Sequence, residues 1–219
     1  MHVIDLSHTI HTGMPVFPGD ESANLRRTHF VNRDGFAQTM LTMSSHTGTH
    51  LDTAAHLFAD APGLDWLGPD NFAGWGAVVD LTELDRPFIE PADLASLSNM
   101  EALDFVILRT GWDAHWKTDR YYADFPTLSE TAARFIGGLG LKGIGIDTPS
   151  PDPVNSKTLP AHMALLDHGL VIVENLTNVG ELPDEGFIFC CLPLRLKDGE
   201  GSPVRAVGIT FGSSGQSAL

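Results

Sequence analysis

The chain has 219 residues, 42% of them hydrophobic and 19% charged, the balance of a globular protein long enough to bury roughly 70% of its unfolded surface. Its formal net charge of −15, from 28 Asp and Glu against 13 Lys and Arg, excludes nucleic acid and an anionic membrane surface as partners, since both would be repelled and no basic cluster offsets the excess. No stretch approaches the ~20 apolar residues of a membrane helix and the start shows no secretory pattern, so one cytoplasmic domain spanning 1–219 is expected.

From the N-terminus, short apolar runs bounded by turn residues predict strands at 2–6, 29–32 and 38–43. The stretch that follows, Ser45-His46-Thr47-Gly48-Thr49-His50-Leu51-Asp52-Thr53-Ala54-Ala55-His56, is the richest in metal-ligand chemistry. His46, His50, Asp52 and His56 share parity, so an extended chain points them to one side. A helix fits less well, because His46 and His50 would pair at i, i+4 while Asp52 and His56 rotate away. A straight strand fails too, since six residues at roughly 3.3 Å each put His46 about 20 Å from Asp52. The chain must bend, and Gly48 is the residue free to do it. Imidazole with carboxylate is the ligand set of a zinc or manganese ion working on a small substrate. A catalytic metal site is the leading reading, and it needs further donors from elsewhere.

Strands follow at 76–81, 105–109 and 143–146. A helix at 91–97 is opened by Pro91, and a second at 129–136 has Ser129 as its cap and Gly137-Gly138 as its stop. A third helix over 160–167 carries His162 on its first turn and stops at Gly169, after which the strand 171–174 delivers Glu174 at its end. Functional groups gather where strands feed loops, so His162 and Glu174 are placed to reach the histidine cluster from a second direction. Strands at 187–192 and 204–209 bring the count to about nine. With three or four short helices and no regular alternation, the fold class is α/β, a mixed β-sheet or barrel-like core with a few helices packed outside. The two cysteines, Cys190 and Cys191, are neighbours in a strand-like run, where a mutual disulfide is disfavoured and a reducing compartment suits both.

Together these segments resemble the metal-dependent cyclase-like hydrolases, the family that contains bacterial kynurenine formamidase and isatin hydrolase. Its signature, His-x-Gly-Thr-His-x-Asp-x-Pro-x-His, stands here as residues His46 to His56, with Ala54 in the place of the proline. Pro15-Val16-Phe17-Pro18-Gly19-Asp20 is similar to the family's Pro-x-aromatic-Pro-Gly-Asp segment. Gly145-Ile146-Asp147-Thr148-Pro149-Ser150 with Asp152, then Glu174-Asn175-Leu176-Thr177-Asn178 and Gly201-Ser202-Pro203-Val204-Arg205-Ala206, follow in the family's order. The resemblance thus extends over nearly the whole chain.

The resemblance implies a swivelling β/β/α architecture, assembly into a homodimer or homotetramer, and one or two divalent ions, Zn2+ first and Mn2+ second. His46, His50 and Asp52 would hold the first ion, and Asp52, His162 and Glu174 the second. His56 falls at the position of the general acid/base, and Phe17, where the formamidase branch has a tryptophan, would pack on the substrate. The chemistry is coherent: a divalent cation brings the pKa of bound water toward ~7, and a neutral imidazole can carry its proton to a leaving group. An aryl substrate needs an apolar wall, for which Phe17 with Trp66, Trp75 or Trp112 are the candidates. The expected activity is metal-dependent hydrolysis of a C–N amide bond in a small aromatic molecule, arylformamidase-like, with isatin- or lactone-type ring hydrolysis as the alternative. A metal-bound, non-catalytic small-molecule binding protein and a redox role for Cys190 and Cys191 are the readings of other classes.

Overall fold

The computed structural model describes residues 1–100 and 102–211. Its strands are β1 (His2–Asp5), β2 (Asn24–His29), β3 (Gln38–Thr42), β4 (His50–Asp52), β5 (Ala73–Asp80), β6 (Phe88–Ile89), β7 (Phe105–Arg109), β8 (Thr127–Leu128), β9 (Gly143–Ile146), β10 (Val171–Glu174), β11 (Glu185–Cys190), β12 (Gly201–Pro203) and β13 (Val207–Thr210). Its α-helices are the single turn α1 (Val31–Asp34), α2 (Glu130–Gly137) and α3 (Pro160–Asp167). Nine strands make one curled sheet in the order β1-β13-β11-β5-β7-β9-β10-β4-β12. The four central ones, β5, β7, β9 and β10, run parallel, and the strands on either side of them are antiparallel. This is the mixed, barrel-like α/β architecture that the sequence predicts.

The parallel strands are covered on both faces, which is why Phe105-Val106-Ile107-Leu108 and Val171-Ile172-Val173 read as unbroken apolar runs instead of alternating. Val106, Leu108, Ile144 and Ile172 pack with Ile136 of α2 and Leu165 of α3, whereas Phe105, Ile107 and Val173 meet Ile4, Phe187 and Phe189 in a second core. Helix α2 starts as expected, with Ser129 Oγ accepting the Ala132 N–H at 3.1 Å.

The structure carries four strands that the sequence reading does not predict, β4, β6, β8 and β12, and departs from it in three further places. The strand placed at 29–32 lies instead at Asn24–His29, and the chain then makes the single turn α1. Local chemistry explains it: the Asp34 carboxylate accepts the Phe30 N–H at 2.8 Å, and Gly35, at φ 78°, closes the turn onto Val31. The helix at 91–97 is a 3-10 helix, Pro91–Asn99, whose three-residue period puts Leu94 and Leu97 in the core together. Third, β2 and β3 form a two-stranded ribbon of their own outside the main sheet. No helix among the described residues is long and apolar enough to cross a membrane.

Candidate metal centre

Strand pairing builds the floor of the site. Residues β4 His50 and Asp52 are two apart, so their side chains leave the same face. In the antiparallel register His50 stands opposite Glu174 of β10, which brings that carboxylate to the same side. His50 Nε2 lies 3.3 Å from Glu174 Oε2 and 3.5 Å from Asp52 Oδ1. Its other nitrogen, Nδ1, donates to the Gly48 carbonyl at 2.8 Å, which fixes the tautomer and aims Nε2 into the site.

The bend comes where the sequence requires it. Gly48 sits at φ 67°, in the left-handed region, and a Cβ there would stand 2.9 Å from Met14 Cε. The turn carries His46 back over Asp52, with His46 Nδ1 2.7 Å from Asp52 Oδ1. His56 ends the 3-10 turn Ala54–His56 that follows β4, and its ring lies 4.4 Å from that of His46 and 6.1 Å from that of His162. Ala54 does not leave the turn loose. Thr53 donates through both N–H and Oγ to the Glu200 carbonyl, and the His56 N–H closes onto Thr53 O at 2.9 Å. Because Thr53 is already extended at φ −117° and ψ 173°, the backbone ahead of Ala54 suits a proline. Ala54→Pro is therefore expected to keep turnover within about twofold and to add about 0.4–1 kcal/mol of stability through the unfolded chain, read as a rise in Tm.

Helix α3 delivers the remaining imidazole. The fully buried Asp152 accepts the N–H groups of Ala161 and His162 at 3.0 and 2.9 Å, capping the helix start, and accepts His162 Nδ1–H at 2.7 Å. His162 Nε2 then faces Glu174 Oε1 at 3.2 Å and Asp52 Oδ2 at 3.6 Å. One carboxylate thus sets both the helix start and the orientation of the His162 ring. Asp152→Ala is expected to weaken metal binding about 10- to 100-fold, measured by competition with a chromogenic chelator.

The structure brings His46, His50, Asp52, His56, His162 and Glu174 into one cluster. Ligand atoms of His46, Asp52 and His56 lie within 4.8 Å of one another, as do those of His50, Asp52 and Glu174, so Asp52 belongs to both groups. Among the described residues, His50 Nε2 and Glu174 Oε1 are buried without a hydrogen-bond partner, a costly state unless a further group completes it. Nitrogen and carboxylate oxygen donors converging on such atoms fit a divalent cation.

Electrostatics separate the histidines. Burial works to lower the pKa of His50, but Glu174 and Asp52 outweigh it and hold the imidazole up at about 9. His46 and His162 are raised likewise against burial, by Asp52 and by Asp152 with Asp52 respectively, and burial of Asp52 itself is overcome by its histidine partners, which keep the carboxyl well below its usual range. His56 goes the other way: burial lowers it below 6.5, so this ring is neutral at pH 7.

The cluster forms the floor of a cavity of about 250 Å³. Phe17 lines it, with its ring edge-on to Tyr122 at 5.9 Å. The other aromatic wall is Trp116, stacked on His8 at 3.9 Å, and not one of the three tryptophans named from sequence. Trp66 is 77% exposed, Trp75 lies on the outside of the sheet, and Trp112 packs with Tyr121 and Phe125. Trp116 and Tyr122 sit in a stretch without strand or helix periodicity, so no pattern announced them. Asp152, Glu200 and Asn175 were also missed as supports. Glu200 Oε1 accepts Ser45 Oγ–H and lies 3.4 Å from His46 Nε2, and Asn175 Nδ2 donates to the same Gly48 carbonyl that His50 uses. The cysteines are both free thiols, and burial pushes the Cys191 thiol well up, which leaves it unreactive.

Comparison with known proteins gives concordant matches. The family described as "Putative cyclase" matches residues 4–153. Kynurenine formamidase of Bacillus cereus is 33% identical over 205 residues, covering 93% of this chain and 95% of the relative. Kynurenine formamidase of Erythrobacter litoralis is 32% identical over 204 residues, covering 93% and 91%. Among solved structures, isatin hydrolase A from Labrenzia aggregata, bound to benzyl benzoate, superposes with a TM-score of 0.85 at 26% identity, covering 95% of this chain and 93% of that one.

Proposed function

The chain belongs to the cyclase family and is a metal-dependent hydrolase, and from that premise we propose that it is an arylformamidase cleaving the formyl C–N bond of an N-formylkynurenine-like substrate. The observation that carries the reading is a buried imidazole and carboxylate centre at the base of an aromatic-walled cavity. Sequence relatives named kynurenine formamidase, matched over 93% of the chain, support the substrate class.

Asp52, His46, His50, His162 and Glu174 are the residues proposed to hold one or two divalent ions, Zn2+ by preference and Mn2+ as the alternative. When bound, such an ion acidifies water and polarises a carbonyl. Asp152 and the Gly48 carbonyl orient the ligand rings. Phe17, Trp116 and Tyr122 hold the aryl ring and exclude water. His56, neutral at pH 7 and, among the described residues, without a carboxylate in hydrogen-bond distance, takes the proton of the attacking water and passes it to the departing aryl nitrogen. The formyl C–N bond breaks, hydroxyl ends on the formyl carbon as formic acid, and the proton ends on the amine. Two free thiols, Cys190 and Cys191, support a reducing, cytoplasmic location.

A second reading is isatin-type ring opening, favoured by the fold match to isatin hydrolase A and by Phe17 where the formamidase branch carries tryptophan. The test is turnover of N-formylkynurenine and isatin by Zn2+- and Mn2+-loaded protein, followed by absorbance. The formyl amide is expected to be the faster substrate by ~10-fold or more. Faster isatin opening replaces the first reading with the second, and turnover of neither removes both.

A further inference from the structure

Among the described residues, Tyr121 is the largest side chain wholly shut off from solvent, so its hydroxyl must find a partner inside the protein. It donates to Asn175 Oδ1 at 2.8 Å. Burial pushes the phenol well above its usual range, so the hydroxyl keeps its proton and stays a donor. Asn175, the residue after Glu174, is equally committed. Its Nδ2 donates to the Gly48 carbonyl at 3.0 Å, its N–H to Thr148 O at 3.1 Å, and its own carbonyl accepts Thr49 Oγ–H at 2.6 Å. The Gly48 carbonyl is also the acceptor that His50 Nδ1–H uses at 2.8 Å. A line of hydrogen bonds therefore runs from Tyr121 through Asn175 and Gly48 to a ring whose other nitrogen faces the ion site.

Tyr121 decides which way the amide points. An asparagine side chain can exchange its oxygen and nitrogen by a half-turn about one bond. With a phenol donor on Oδ1 and a carbonyl acceptor at Nδ2, only one orientation satisfies both ends. Without the phenol, Oδ1 becomes a buried acceptor with nothing to accept, a state that folded proteins avoid. The amide can escape it by turning Oδ1 toward His50 Nδ1–H, which lies 3.4 Å from Nδ2. That oxygen then competes with the Gly48 carbonyl for the proton that aims the ring. The tyrosine also packs against the aromatic wall: Trp116 stands edge-on to it at 4.8 Å and Tyr122 at 5.1 Å, and both line the cavity, whereas Tyr121 does not. Trp112 Nε1–H pins its backbone carbonyl at 2.9 Å. We propose that Tyr121 is a positioning residue of the metal centre, acting through the Asn175 amide on His50. The proposal rests on the metal centre and not on the choice between formyl amide and isatin.

Competition for Zn2+ between the full chain and a chromogenic chelator is the test. Tyr121→Phe keeps the ring and its aromatic contacts and removes only the hydroxyl. It is expected to weaken Zn2+ binding about 10- to 100-fold, the usual effect of losing a group that orients a ligand, with far-UV circular dichroism unchanged. The visible absorption of the Co2+-loaded variant is expected to differ from that of the wild type, because the His50 ring is no longer held in one direction. Asn175→Ala should weaken binding at least as much, and adding Tyr121→Phe to it should cost nothing further, since both act along one line. A role confined to packing the aromatic wall would instead raise KM and leave Zn2+ affinity and the Co2+ spectrum untouched. That result in folded Tyr121→Phe overturns the proposal, as does a double variant whose losses add. Should Asn175→Ala fail to fold, Tyr121→Phe decides alone. Neither readout involves turnover, so failure of both proposed substrates leaves this inference standing.

Discussion

Asp52→Asn is expected to purify without its full metal complement and to lose ~10³-fold or more of kcat/KM. The reason is geometric. Asp52 is the one residue shared by both groups of ligand atoms, with one carboxylate oxygen 2.7 Å from His46 and the other 3.6 Å from His162. An amide in that position offers one weakly donating oxygen and one N–H that repels a cation, so both groups lose a charged ligand together. A catalytic ion supplies several kcal/mol of transition-state stabilisation, and each ~1.4 kcal/mol is tenfold in rate. Metal analysis by mass spectrometry on wild type and variant, with circular dichroism as the folding check, is the measurement. Full metal content in folded Asp52→Asn would remove Asp52 from the centre.

The second large effect belongs to His56. His56→Gln is expected to keep the metal and lose ~10²- to 10⁴-fold in kcat, the usual share of a positioned acid/base, with KM changed little. The pH profile supplies a separate readout. The proposed role needs a neutral imidazole, and burial lowers the pKa of His56 below 6.5. Activity should therefore be retained above that value and fall as pH drops through the lowered pKa, where the ring protonates. The glutamine variant should lose this acid limb. Loss of metal in His56→Gln, at a level matching Asp52→Asn, would instead make His56 a ligand, in keeping with its place beside His46 and Asp52.

Much of the centre was legible because it is local. Four of its residues lie within eleven positions, their shared parity follows from the pleat, and reach alone demanded the bend that Gly48 makes. His162 and Glu174 were legible as positions on a helix start and a strand end. The supports were not, since they act across the chain: Glu200 meets Ser45 from 155 positions away and Asn175 meets Gly48 from 127. Trp116 and Tyr122 escaped for a related reason, lying in irregular backbone whose side-chain directions depend on packing and not on period. The misplaced strand at 29–32 shows the converse, where the turn chemistry of Asp34 and Gly35 outweighs two apolar residues.

The pairing of β4 with β10 has one more consequence. Strand β4 is three residues long and lies between β10 and β12, so few backbone bonds specify its alignment. A slip by one position would turn His50 and Asp52 to the opposite face of the sheet while Glu174 stayed in place. A cation bound by all three would tolerate only one alignment and would thereby select the correct register at this edge of the sheet. Amide exchange across β4 and β12 should accordingly quicken on metal removal well before the central parallel strands respond.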